Sequence, residues 1–342
     1  MFNKMIQKYK DLYENPANCE PLVQVLYPFP RFYPIKETLT SPEKMLANQM
    51  AAIEARLKVG DDYLPALRVD FGTAQIAHMF GCPMHVMEDS EPCCGAHILN
   101  DIAKADMLPV PAMDSGWNAR VDEFQQYFME HKPEWLPIQH PDVQGPFNTG
   151  HLIRGNDIIY DFYDDPENVE KLLMKVSDFM VDWIKYTTRE TNPEEGWFYD
   201  RGGLWRGNAR LCNCSLQIVS PGIYRDHIMA SDASFLKSIG MGRVHYCGSY
   251  TEVLDDLFQL SDMTNLEIDS QYHDVIPACE KAPEQTSVMF CDWSNEPGNR
   301  EWYDKILNGE IPKKKNIVFQ AKASDLEDAK RVYDKLKNQL CR

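Results

Sequence analysis

Four short apolar runs in the second half of the chain end in side chains that can do chemistry: Val244-His245-Tyr246-Cys247, Asn265-Leu266-Glu267-Ile268-Asp269, Val288-Met289-Phe290-Cys291-Asp292 and Ile317-Val318-Phe319-Gln320. His245 and Cys247 stand two apart, as do Glu267 and Asp269, so along an extended strand each pair shares one face. Imidazole, thiolate and carboxylate are zinc donors, and a metal with an open position activates a bound thiol or water. The candidate ligands are His245, Cys247, Glu267, Asp269 and Cys291, with His245 also a candidate acid or base. The competing reading is packing, because a buried cysteine behaves as a small hydrophobe. Cys212-Asn213-Cys214 is a second source of thiols, for which a structural role is the commoner outcome. Asn213 and Tyr246, next to these groups, are candidate substrate contacts. Cys93 and Cys94 are adjacent, so a strand would turn them to opposite faces, which suits packing better than chelation.

Arg68 and Asp70 stand two apart in Leu67-Arg68-Val69-Asp70-Phe71-Gly72. They read either as an exposed ion pair, energetically minor, or as an anion-binding arginine and a proton-carrying carboxylate.

Positioning such groups requires a repeating frame. The four runs lie about 20 to 30 residues apart, one strand-loop-helix unit each, and from Leu64 onward the chain keeps this rhythm. If the strands are parallel, their C-terminal ends converge at one mouth, and spacing along the sequence becomes clustering in space. The expected architecture is α/β, a single (β/α)8 barrel over residues 61–342, preceded by a mainly helical extension over residues 1–60. Asp165-Pro166 opens a helix whose stripe is Val169, Leu172, Leu173, Val176, Phe179, Met180, Trp183 and Ile184. Ser324-Asp325-Leu326-Glu327 has the form of a capping box opening a last helix that buries Leu326, Ala329, Tyr333, Leu336 and Leu340.

Composition narrows the partners. A net charge of -17 over 342 residues leaves little basic surface for nucleic acid, with Lys313-Lys314-Lys315 the longest basic run. No apolar run approaches the ~18 residues that span a bilayer, and the first ten residues do not read as a secretion signal. The ten cysteines are scattered through a large chain, which favours free thiols or ligands in a reducing, cytoplasmic setting.

Several stretches resemble the uroporphyrinogen decarboxylase superfamily in their joint order. They are Leu64-Pro65-Ala66-Leu67-Arg68-Val69-Asp70-Phe71-Gly72, Gly145-Pro146-Phe147 with Leu152-Ile153-Arg154-Gly155, Tyr160-Asp161-Phe162-Tyr163-Asp164-Asp165-Pro166, Ser220-Pro221-Gly222-Ile223-Tyr224-Arg225 and His245-Tyr246-Cys247-Gly248. The resemblance implies a (β/α)8 barrel and, more weakly, a homodimer. The Arg-Gln-Ala-Gly-Arg segment of the haem-pathway decarboxylases has no counterpart here. The corrinoid-linked methyltransferases carry His-x-Cys and a distant Cys as zinc ligands. His245 and Cys247 match the first two, and the expected third stands as Gln320. The resemblance thus implies methyl transfer between a corrinoid on a partner protein and a small molecule, with zinc at the mouth. A metal-free decarboxylase or lyase using Arg68, Asp70 and His245 is the alternative, and a ligand-binding barrel without turnover the third reading.

Overall fold

The computed structural model describes residues 2–114, 116–191, 194–292 and 301–341. The described residues form ten strands: β1 Leu22–Leu26, β2 Met84–His85, β3 Cys93–Cys94, β4 Trp197–Asp200, β5 Gly203–Arg206, β6 Ala209–Cys212, β7 Gly242–Tyr246, β8 Met263–Asp269, β9 Ser287–Cys291 and β10 Ile317–Lys322. Six form one sheet in the order β1-β10-β9-β8-β7-β6, and every pairing in it is parallel. Two hairpins, β2–β3 and β4–β5, stand apart from it. Parallel neighbours require crossovers, and the helices between β6, β7, β8, β9 and β10 supply them.

The ladder departs from the expected closed barrel. Among the described residues it comprises six strands without closing on itself, and past β6 it continues as an isolated parallel bridge between Gln144 and Cys212. A further parallel bridge joins Leu67 and Ile138. The first 60 residues are not helical throughout: besides the helices Phe2–Glu14 and Pro42–Leu57 they supply β1, bonded along β10 from Leu22↔Val318 to Leu26↔Lys322.

Strand alternation gives the sheet two distinct faces. Val244, Leu266, Ile268, Val288, Phe290, Ile317 and Phe319 belong to the large core shared with the helices. The Pro166–Thr188 helix delivers its whole expected stripe to this core, from Val169 to Ile184. Leu22, Met289, Cys291 and Val318 join a second core with Tyr9 and Leu12 of the first helix and Trp197, Phe198, Leu204 and Trp205 of the β4–β5 hairpin. On this second face also stand the polar residues that alternate with the first core: Arg243, His245, Asn265, Glu267 and Asp269, all buried. The last helix, Leu326–Leu340, is capped by Asp325, whose Oδ1 accepts from Asp328 N at 2.8 Å, one residue later than the capping-box expectation. It buries Val332, with Leu326 and Tyr333 half-buried. No helix among the described residues is long and apolar enough to cross a membrane.

Leu172, fully buried on the Pro166–Thr188 helix, anchors that layer. Leu172→Ala should cost about 2–5 kcal/mol in urea unfolding; a cost below about 1 kcal/mol would show the site collapsing freely or the helix packing elsewhere.

Candidate active site

A cluster of buried charge fills the polar half of the second face. Asp142 Oδ1 accepts from Arg210 Nη1 at 2.7 Å, and its Oδ2 accepts from Arg68 Nη1 at 3.0 Å and Arg201 Nη2 at 2.7 Å. Asp200, at the tip of the β4–β5 hairpin, accepts from Arg68 Nη2 at 2.5 Å and Arg243 Nη1 at 2.7 Å. Glu267 Oε2 accepts from Arg210 Nε at 3.1 Å and Arg243 Nη2 at 2.6 Å. Burial alone would favour the neutral carboxyls. At Asp142 the guanidiniums of Arg201, Arg210 and Arg68 outweigh it and hold the group well below the usual carboxylate range. Arg210 and Arg243, with His245, do the same for Glu267.

Arg201 reaches this cluster from a left-handed backbone (φ 46°), followed by Gly202 at φ 75°, the pair of positive values that a tight two-residue hairpin turn demands. A non-glycine residue pays for this conformation, and here the ion pair to Asp142 and the Arg201 N–H donated to Gln139 Oε1 at 3.1 Å hold it.

His245 sits above the cluster. Its Nδ1 lies 3.1 Å from Glu267 Oε1. Burial disfavours the imidazolium, but Glu267 and then Cys212 prevail and pull the group up to about 10. Sheet register sets Cys212 beside His245 on one side and Glu267 on the other. The Cys212 and Cys214 sulfurs are 3.3 Å apart, and with His245 their ligand atoms all lie within 4.8 Å of one another. Among the described residues this is the one group of three or more metal-type ligands so close together. The donor set suits zinc: two thiolates on one tetrahedral ion stand about 3.8 Å apart, reached here by a shift of about half an ångström. A carboxylate behind a ligating imidazole is also the usual outer partner of such an ion.

The sequence candidates fall in different places. Cys247 follows the end of β7, half-buried, and is not part of the three-ligand group. Glu267 backs His245. Cys291 Sγ donates to Glu267 Oε1 at 3.6 Å, and burial followed by that carboxylate raises the thiol well above its ordinary value. Asp269 Oδ1 accepts from Gln271 N at 2.9 Å, shaping the turn after β8. Gln320 donates to Gln24 Oε1 at 3.1 Å across the β1–β10 pair.

The expected substrate contacts are engaged elsewhere. Tyr246 lies on the face opposite His245, fully buried in the helix-side core, with its hydroxyl on the backbone of Tyr250. Asn213 is fully buried and donates to Asp232. Arg68 spends Nε on His140 O and both Nη atoms on carboxylates. Asp70 Oδ1 accepts from Gly72 N at 2.9 Å, and the residue lines a cleft of about 240 Å³ with Arg31, Asn48 and Glu91 rather than touching His245. What the sequence reading missed is the arginine cluster. Its signal was present: Arg243 interrupts a run otherwise fit for a buried parallel strand, two residues before His245.

No family model matches the chain, and no curated protein matches it. Among solved structures it is similar to a methyltransferase from Methanosarcina mazei, with a TM-score of 0.73 and 14% sequence identity over 99% of each chain. At that identity the likeness is one of fold.

Removing Arg243 leaves Asp200 and Glu267 short of a partner in a buried setting. Arg243→Met should cost about 3–5 kcal/mol in urea unfolding, and the cost with Glu267→Gln added should fall short of the sum by at least about 0.5 kcal/mol. Additive costs would show that the two charges do not interact.

Proposed function

We propose that this chain is a methyltransferase whose reactive centre is built on Cys212, Cys214 and His245 holding zinc. The observation that carries the reading is the convergence of these three ligands at the C-terminal ends of β6 and β7, backed by Glu267. The shared fold with a methyltransferase supports it. In the same reading the six-stranded sheet is the greater part of a (β/α)8 barrel, with the segments around Leu67, Ile138 and Gln144 continuing the wall, and the chain belongs to the uroporphyrinogen decarboxylase superfamily.

Zinc at this position would acidify a bound thiol or hydroxyl, or polarise a methyl donor. The chain's own residues do the rest. Glu267, kept ionised by Arg210 and Arg243, fixes the imidazole of His245 and raises its basicity as a ligand. The burial of Cys212 and His245 keeps water from competing for the site. With only these three protein ligands, a zinc held here would keep a position open for the substrate. A corrinoid carried by a partner protein docked at the mouth would supply or accept the methyl group as a cation equivalent, with a small molecule as the other reactant. The protein works in the cytoplasm, as a homodimer. The metal-free lyase reading is weaker, because Arg68 is saturated by Asp142 and Asp200 and Asp70 does not meet His245.

Anaerobically purified protein should carry about one zinc per chain. Cys212→Ser, Cys214→Ser and His245→Ala should each lose it with an unchanged circular dichroism spectrum, and Cys247→Ser should keep it. Methyl transfer between methylcobalamin and a panel of small thiols, followed by the corrinoid absorbance, should fall by at least about 100-fold in the same three variants. Zinc retained in Cys212→Ser and Cys214→Ser but lost in Cys247→Ser would move the metal to the His245–Cys247 pair; wild type without zinc or turnover would end the methyltransferase reading.

A further inference from the structure

Asn213, between the two cysteines, leaves the strand with φ -109° and ψ 48° and donates its backbone N–H to His245 O at 2.8 Å. Its side chain is fully buried, and its Nδ2 donates to Asp232 Oδ2 at 2.6 Å. Asp232 is on the Met229–Ile239 helix and is itself fully buried. Tyr224, from the π-type turn Tyr224–Ile228 before that helix, donates its hydroxyl to the same Oδ2 at 3.3 Å. Behind Tyr224 the next charge is Asp256, an acid. Among the described residues no cation pairs with Asp232.

Two atoms of this arrangement have no hydrogen-bond partner among the described residues: Asn213 Oδ1 and Asp232 Oδ1. Both are buried acceptors, and each is bonded to the same carbon as an atom of the Nδ2–Oδ2 hydrogen bond. Gly145 presses bare backbone against Asn213 Oδ1, where a β-carbon would collide with it, and brings no N–H to it. An ionised carboxylate here would be buried without a cation and with one oxygen bare. One proton removes both deficits: an acid O–H donated from Asp232 Oδ1 to Asn213 Oδ1 closes a ring of two hydrogen bonds between amide and carboxyl.

We propose that Asp232 is protonated in the folded protein, that it forms with Asn213 a neutral, doubly hydrogen-bonded acid–amide pair, and that this pair positions the Cys212–Cys214 loop. The protonation stands on the orphaned acceptors; the positioning role rests on the metal reading of the cysteines. The helix thus holds the loop through a bond between side chains, and the loop holds the spacing of the two sulfurs. Burial agrees with this assignment, pushing Asp232 up to about 7 against the hydrogen bonds from Asn213 and Tyr224. A group raised in the folded state binds a proton that the unfolded chain releases. Its stabilisation is full below about pH 4 and is lost as pH rises through about 7.

The test uses Asp232→Asn, whose amide can accept from and donate to Asn213 as the protonated acid does, and Asp232→Leu, similar in volume and unable to do either. Between about pH 5 and 8 the melting temperature of wild type should fall progressively relative to Asp232→Asn, and a protonated-carboxyl C=O band in the wild-type infrared spectrum should be absent from that variant. A melting difference independent of pH, with no such band, would show Asp232 ionised and overturn the pair. For the positioning role, Asp232→Asn should bind Cd2+ as tightly as wild type, and Asp232→Leu at least about tenfold more weakly. Equal Cd2+ affinity in all three would overturn that role. Wild type that binds no Cd2+ would overturn it together with the metal reading, while the melting and infrared measurements would still decide the protonation.

Discussion

The fold is organised around carboxylates and guanidiniums buried against one another on the second face of the sheet. Four arginines, at positions 68, 201, 210 and 243, share three acids, Asp142, Asp200 and Glu267. No member tolerates burial alone, so each constrains the chain segment that carries its partner. Asp200 brings the tip of the β4–β5 hairpin into the interior, Asp142 brings in the segment before Gly145, and Arg210, Arg243 and Glu267 tie β6, β7 and β8 side to side. Guanidinium suits this task because its planar fork engages two carboxylates at once, as Arg243 does with Asp200 and Glu267. Apolar residues of the same volume often pack as well as buried ion pairs, so the cluster is evidence for how these segments are placed rather than for added stability.

From this constraint the candidate site follows. Glu267 has one oxygen committed to arginines and the other to His245, so the imidazole has a fixed place before any ligand arrives. Register then brings Cys212 alongside, and the turn through Asn213 returns Cys214 to within 3.3 Å of it. The site is therefore rigid from below and from the side, as a metal centre or any exacting chemistry requires.

Periodicity made the frame legible. The runs ending at Cys247, Asp269, Asp292 and Gln320 are β7 to β10 within one or two residues, and the apolar stripe from Val169 to Ile184 is buried along one helix. Strand alternation put Glu267 and Asp269 on one face of their strand, and the same rule places Tyr246 on the face opposite His245, against the substrate role expected for it. Cys247 lies past the last residue of β7, where alternation no longer dictates direction. The pairing of Cys212 with His245 is a matter of register between two strands some thirty residues apart, which no local pattern encodes. The arginine cluster escaped for a related reason: a charged residue in a short strand reads as a solvent contact until its partners, far along the chain, are known. Closure of the barrel was expected from the rhythm of strands and helices, and that rhythm does not specify how many strands complete the ladder.

The central claim is that two sulfurs and one imidazole of this chain are arranged to bind one metal ion. X-ray absorption at the zinc edge of the anaerobically purified protein measures that shell directly. The account predicts two sulfurs at about 2.3 Å and a nitrogen at about 2.0–2.1 Å, with an oxygen or nitrogen in the remaining position. A shell of oxygen and nitrogen alone, or a single sulfur, would contradict it.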